Sequence, residues 1–172
     1  MDQIGNYSLF LRKLFKYYMS NFIGDYTCKL DAKGRLMLPA AFKKQMQGGN
    51  ADKFVVKKDI FEKCLVLYPM DEWERQVKLI RKKINPYKKE HNMFLRKFYM
   101  GTAEIVLDAN NRIVIPKRLI DEIEAGPEVV LAGQNGKIEV WDKAKYESFE
   151  LSDEDFAGMA ENIFNEFEGD VE

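Results

Sequence analysis

Ile23-Gly24-Asp25-Tyr26-Thr27-Cys28-Lys29-Leu30-Asp31-Ala32-Lys33-Gly34-Arg35-Leu36-Met37-Leu38-Pro39 aligns without a gap to a stretch 77 positions later. That stretch is Met100-Gly101-Thr102-Ala103-Glu104-Ile105-Val106-Leu107-Asp108-Ala109-Asn110-Asn111-Arg112-Ile113-Val114-Ile115-Pro116. Gly, Leu, Asp, Ala, Arg and Pro recur at the same places, so the chain carries an internal repeat. Each copy continues in the same order. An apolar helix start follows the proline (Phe42 and Met46; Leu119 and Ile123), then a glycine-bearing turn (Gly48-Gly49; Gly126-Pro127). A strand-like run comes next (Phe54-Val55-Val56; Val129-Val130-Leu131), then a second (Cys64 to Tyr68; Ile138 to Trp141) and a helix opening at Asp71 or Asp142. The pattern predicts an α+β fold built from a duplicated β-β-α-β-β-α unit. Neither half alone has enough strands to bury both faces of its hairpins.

Local chemistry agrees. Asp31-Ala32-Lys33-Gly34 places turn residues at turn positions, with Gly34 free to take positive φ. Asn111 stands where Gly34 stood, and asparagine is the next most tolerant residue there. Leu36-Met37-Leu38 and Ile113-Val114-Ile115 read as short buried strands, ended by Pro39 and Pro116. Each Asp and Arg pair therefore flanks one tight turn. Between the copies, Asp71 is placed to cap a helix with Trp73, Val77, Ile80 and Ile84 on one stripe and Arg75 to Lys83 on the other face. Asn85-Pro86 breaks it, and a second basic helix runs to Tyr99.

The 172 residues are 46% apolar and 32% charged, the composition of an ordinary folded protein. The net charge of −1 hides an asymmetry. Residues 1–100 carry 21 Lys and Arg against 10 Asp and Glu; residues 101–172 carry 6 against 18. A basic front and an acidic tail suggest a polyanionic partner, with the tail masking or repelling; solvated faces are the plainer alternative. Cys28, Cys64 and the single His91 are too sparse for a zinc cluster, and the thiols suit a reducing, cytosolic setting. No apolar run approaches a membrane span. No phosphate-binding glycine loop, dinucleotide fingerprint or HExxH is present, so enzyme chemistry has no visible starting point and neither cofactor nor metal is expected.

The segment Gly24 to Pro39, the phrase Leu67-Tyr68-Pro69-Met70-Asp71-Glu72-Trp73-Glu74-Arg75, and Gly101 to Pro116 closely resemble the bacterial MraZ proteins, within the AbrB/SpoVT-like swapped-hairpin superfamily. The resemblance covers about residues 19–150. It implies that the two halves intertwine as a pseudo-twofold barrel. It also implies DNA binding, transcriptional regulation, typically repression of a division and cell-wall gene cluster including the protein's own promoter, and assembly into rings on short repeated promoter elements. Localisation would be cytoplasmic and nucleoid-associated, with no membrane and no small-molecule substrate. The family's D-x-x-x-R motifs map onto Asp31 with Arg35 and Asp108 with Arg112. The second turn departs from the pattern at Asn110-Asn111, where a glycine is expected.

The expected organisation is an extension over residues 1–22 outside the core, a first repeat over 23–84, a linker helix over 85–99, a second repeat over 100–150 and an acidic C-terminal helix or tail over 151–172. The extension reads either as an amphipathic surface helix or as a consequence of start-site choice, with Met19 just ahead of the first motif.

Double-stranded DNA is the expected partner. Arginine suits it because its planar fork pairs bidentately with guanine or phosphate. Arg35 and Arg112 are the candidate readers. Asp31 and Asp108 either aim them or serve the turn backbone, and Lys33 and Asn110 sit within the turns. Lys29, Lys43, Lys44, Lys117 and Arg118 are candidate phosphate contacts. Tyr68, Trp73 and Trp141 lie at core-facing spacing and read as packing, His91 as exposed, and both cysteines as inert. An oligomeric protein-interaction module that binds nucleic acid only non-specifically remains the alternative; salt-sensitive retention on DNA discriminates the two. In the tail, Phe156, Met159, Ile163, Phe164 and Phe167 form one apolar stripe among acids, which fits docking on the basic linker of its own or a neighbouring subunit.

Overall fold

A computed structural model describes residues 21–46 and 52–167. The expected duplication is present. The first copy contributes β1 (Asp25–Lys29), β2 (Arg35–Met37), α1 (Ala40–Gln45), β3 (Lys53–Lys58), β4 (Leu65–Pro69) and α2 (Met70–Lys83). After α3 (Lys89–Tyr99), the second copy supplies β5 (Ala103–Val106), β6 (Arg112–Val114), α4 (Lys117–Glu122), β7 (Glu128–Gln134), β8 (Lys137–Asp142) and α5 (Lys143–Glu147). α6 (Asp153–Phe167) follows. The expected glycine turn at Gly48-Gly49 and the extension up to residue 20 lie outside the described residues.

The strand order is β1-β7-β8-β4-β3-β5, antiparallel throughout. Exchanging the two copies reverses this order onto itself, which places a pseudo-twofold axis between β4 and β8. Each copy's first strand pairs with the other copy's third. Thr27 faces Val130 in β1–β7, and Glu104 faces Val55 in β5–β3. β2 and β6 leave the large sheet and pair only with each other.

One continuous core fills the space between the six-stranded sheet and this two-stranded ribbon. Leu36, Leu38, Ile113 and Ile115 project into it from the ribbon side, Phe42, Leu119 and Ile123 from α1 and α4, and Phe54, Leu65, Leu67, Leu131 and Ile138 from the sheet. On the sheet's opposite face Val55, Val66 and Tyr68 pack against Met70 and Trp73 of α2. Trp73 stacks on Phe98 of α3 with ring centroids 5.7 Å apart. The linker phrase is therefore a bracket between sheet and helices. Its buried Glu72 takes two bonds from Arg75, at 2.9 and 2.7 Å, and one from Gln76 at 2.8 Å, which satisfies an otherwise costly buried charge.

Four expectations are corrected. Phe22, assigned to the extension, is buried and meets Phe42 edge-on at 5.4 Å. Its carbonyl lies so close to Gly133 that a Cβ there would sit 2.3 Å from the oxygen. Met37 and Val114 are not buried but 61% and 51% exposed, because a paired two-stranded ribbon has only one face toward the core. The cap position of α2 is Pro69, which has no side-chain cap bond, and Asp71 accepts the adjacent Glu72 N–H, whereas Asp142 does cap α5 through the Lys145 N–H. Trp141 lies on the face of β8 opposite Ile138 and Val140, half-buried, with its indole N–H donated to Glu139 at 2.8 Å.

The ribbon locks the copies together. Beyond its ladder, Leu38 N–H donates to the Asn111 carbonyl and Ile115 N–H to the Gly34 carbonyl, each at 2.8 Å. Both accepting residues have positive φ, 79° at Gly34 and 59° at Asn111. A Cβ on Gly34 would also stand 2.3 Å from the Ile115 carbonyl oxygen. Gly34→Ala is thus expected to lower the unfolding free energy by about 1–3 kcal/mol, read from urea denaturation. Asn111→Gly should change it by less than about 1 kcal/mol. Equally small effects at both positions would contradict the interlocked turn.

Candidate nucleic-acid interface

The two turns are built alike, from the same short-range bonds. In the first, Gly34 N–H closes the turn on the Asp31 carbonyl at 3.0 Å. Asp31 Oδ1 accepts the Lys33 and Arg35 backbone N–H groups, each at 2.9 Å, and Oδ2 accepts Arg35 Nε–H at 2.7 Å. In the second, Asn111 N–H closes on the Asp108 carbonyl at 3.1 Å. Asp108 Oδ1 accepts from Asn110 and Arg112 N–H at 2.8 and 2.9 Å, and Oδ2 accepts Arg112 Nε–H at 3.1 Å. The two roles left open for each aspartate are performed together: one carboxylate oxygen organises the turn and the other aims the arginine.

The ribbon brings the two arginines onto one surface. Arg35 faces Val114 and Arg112 faces Met37, with Leu36 opposite Ile113 between them. Alternation along three residues sends Leu36 and Ile113 inward and Arg35, Met37, Arg112 and Val114 outward. The outward face carries two guanidiniums, each about 40% exposed, flanking two exposed apolar side chains. The arginines stand two residues apart along the ribbon, roughly 7 Å. With Nε held by the aspartate, the terminal NH2 groups of each fork carry no hydrogen bond to the described residues. The outward position of Met37 and Val114 was missed because a three-residue apolar run does not announce which face is wet.

The repeats, the crossed hairpins and this paired turn geometry are what the sequence resemblance required, and the family comparison decides it. The model of the MraZ protein family matches residues 21–97 and again residues 98–166. The chain belongs to the MraZ family. It is 44% identical over 154 residues to the "Transcriptional regulator MraZ" of Christiangramia forsetii, covering 88% of this chain and 99% of that protein. It is 39% identical to the protein of that name from Flavobacterium psychrophilum, over 88% and 97% of the two chains. It is 36% identical to that from Bacteroides fragilis, over 86% and 94%.

The other candidates lie in the turns and in the elements next to the ribbon in sequence. Lys33 and Asn110 are exposed within the turns, and Lys29 ends β1 opposite Glu128. Lys43 and Lys44 lie in the last turn of α1, and Lys117 and Arg118 open α4 directly after Pro116. Arg118 lines a separate cleft with Lys57, Lys97 and Phe98. His91 departs from expectation: it is half-buried, and its Nδ1 accepts the Asn85 N–H at 2.9 Å. Burial raises the thiol pKa at Cys28 and at Cys64, which disfavours the reactive thiolate. It also pushes the Tyr68 hydroxyl up to about 12, in keeping with a packing role. No group of three or more His, Cys, Asp or Glu suited to a metal, and no helix long and apolar enough to cross a membrane, occurs among the described residues.

Both motif aspartates titrate below the ordinary aspartate range. The Arg35 backbone N–H is the largest cause at Asp31, followed by the Arg35 side chain. At Asp108 the Arg112 backbone N–H leads and its side chain contributes less. A depressed folded-state pKa means that the bracing is complete above the unfolded aspartate value and is lost as pH falls through the lower, folded value. In carboxyl-detected NMR titrations, Arg35→Ala is expected to return the Asp31 midpoint only part-way toward normal, since the backbone donor survives. Arg112→Ala should move Asp108 less. Full restoration of a normal midpoint in either variant would show that the side chain, not the turn backbone, holds the carboxylate.

Proposed function

We propose that this MraZ-family chain is a DNA-binding transcriptional regulator, without catalytic activity, that reads base edges with the outward face of its β2–β6 ribbon. The single observation that carries this is the pair of aspartate-braced arginines held on one rigid two-stranded surface. A two-stranded ribbon fits the major groove, where guanine N7 and O6 accept a bidentate arginine and the thymine methyl accepts an apolar contact. Arg35 and Arg112 take the first role, and Met37 and Val114 take the second. Because Nε is committed to the aspartate, the terminal nitrogens are presented without the entropy cost of an unguided arginine. Lys33 and Asn110 approach the backbone beside the turns. Lys29, Lys43, Lys44 and Lys117 supply phosphate contacts that set register and salt dependence.

The relatives' name supports regulation of transcription. The finer proposals rest on the family resemblance: a cytoplasmic, nucleoid-associated homo-oligomeric ring that represses a division and cell-wall cluster, its own promoter included, through short repeated elements. Residues 23–84 and 100–150 would act as the two DNA-facing repeats, joined by the helix of 85–99 and followed by the tail from 151. An interaction module with only non-specific nucleic-acid binding would need no paired, braced arginines on one face.

Binding to the DNA immediately upstream of the chain's own gene tests this. Arg35→Ala and Arg112→Ala should each weaken specific binding by about 1–3 kcal/mol per site, with circular dichroism unchanged. Avidity in an oligomer enlarges the loss. Arg35→Ala should be the worse, since its turn keeps the glycine and the tighter brace. Lys33→Ala should weaken specific and non-specific DNA alike and lower the salt slope by about one. Unchanged affinity in both arginine variants would remove the site assignment.

A further inference from the structure

α6 has its own start signal, and its apolar side is not covered by the described residues. Ser152 Oγ accepts the Asp155 N–H at 3.1 Å and donates to the Asp155 carboxylate at 2.8 Å, which closes the helix N-terminus. Its fifteen residues make a rod of about 22 Å. Phe156, Met159, Ile163 and Phe164 fall on one side and are 52–70% exposed. The helix carries five acids, at Asp153, Glu154, Asp155, Glu161 and Glu166, and no base. Docking on the chain's own basic linker, expected from sequence, is therefore not what the fold shows. An isolated helix of this length is marginal in water, and the stability of such helices comes from packing their apolar face.

The body carries a surface of matching character. A cleft of about 630 Å³ opens between the β3–β4 turn, α3 and the start of α4. Ile60, Phe61, Phe94 and Met100 line it and are 41–89% exposed. Phe61 is held outward by its turn: Asp59 Oδ2 accepts the Phe61 and Glu62 N–H groups at 2.8 and 2.9 Å. Lys58 and Lys97 stand among these apolar groups, and the five bases of the lining outnumber its three acids, Asp59, Glu62 and Glu122. Lys57 forms part of the lining, buried, with its ammonium 4.4 Å from the Phe98 ring centre and donated to the Lys58 carbonyl. An apolar patch interleaved with lysines, on the same chain as an apolar helix edged only with acids, is complementary in both shape class and charge.

With the homo-oligomer proposed above as its basis, we propose that α6 of one copy seats in the β3–β4/α3/α4 cleft of a second copy. The contact is heterologous, helix to cleft, so each copy offers both halves and the chain of contacts continues from subunit to subunit until it closes. Acids on α6 then neutralise Lys58 and Lys97. Lysines at this cleft that would otherwise attract DNA non-specifically are thereby occupied by protein.

Two measurements on the full chain test it. In a Cys28→Ser background, chains carrying Phe61→Cys are mixed with differently tagged chains carrying Ile163→Cys and treated with a short bismaleimide. A cross-linked product bearing both tags is expected. No such product, or a cross-link that forms only when both cysteines share one chain, overturns the proposal. Second, the mass by light scattering should fall toward that of a single chain in Ile163→Asp/Phe164→Asp. Lys97→Glu should lower it too, with recovery on adding Glu161→Lys or Glu166→Lys. Circular dichroism and DNA retention of the dissociated variants report that the body is intact. If the parent chain is itself monomeric at every concentration, the homo-oligomer falls and this contact with it. If the parent is oligomeric and the α6 variants keep its mass, only the α6 contact is wrong.

Discussion

The structure depends on one short ladder, the antiparallel pairing of β2 with β6 and the two hydrogen bonds that extend it onto the carbonyls of Gly34 and Asn111. Taken alone, each copy has a single hairpin, β3–β4 or β7–β8, and two strands whose partners lie in the other copy. A two-stranded hairpin is marginal alone. Crossing the copies converts two such fragments into a six-stranded sheet with a roof, and Leu36 and Ile113 become fully enclosed between them. The same crossing places the second face of the ribbon in solvent. Core formation and presentation of the two arginines are thus two sides of one three-residue pairing.

That coupling explains why the turn chemistry is so constrained. The residue before each arginine must adopt positive φ, because its carbonyl has to reach the other copy. Glycine does this freely, and asparagine does so at small cost. The aspartate four residues before the arginine accepts two backbone N–H groups of the turn with one oxygen and the arginine Nε–H with the other. Surface ion pairs of this exposure add little to stability. Their value is directional: two forks are fixed on a rigid element, with their outer nitrogens left available. The helical bracket of Tyr68, Trp73 and Phe98 and the pairing of buried Glu72 with half-buried Arg75 fix the linker against the sheet.

Much of this was legible in the residues. The repeat predicted the element order, because glycine, aspartate, arginine and proline at fixed offsets mark a turn, a return strand and a helix start. It also located the paired motifs. What it could not convey were facts that arise only when strands choose partners. Leu36-Met37-Leu38 reads as uniformly buried until the ribbon shows that its middle residue faces solvent. Trp141 looks like core until β8 is registered against β4 and β7. Lys57 gave no sign of burial, since its cover, Phe98, is more than forty residues away. Phe22 fell outside the repeat, yet packs on Phe42, because the aligned motif begins one residue after it. His91 seemed exposed for want of neighbours in sequence, and its partner is the helix end at Asn85.

The claim that the ribbon face reads DNA from the major groove is tested most directly by methylation interference. DNA from immediately upstream of the chain's gene is methylated lightly at guanine N7, and bound and free fractions are compared. Arginines paired with guanine need an unmodified N7. The bound fraction should therefore be depleted of methylation at a few guanines, repeated with the spacing of the proposed promoter elements. That depletion should vanish from the pattern of an Arg35→Ala/Arg112→Ala chain. Equal methylation in bound and free DNA, with binding retained, would show that recognition does not pass through the major groove and would contradict the assignment of the ribbon as the reader.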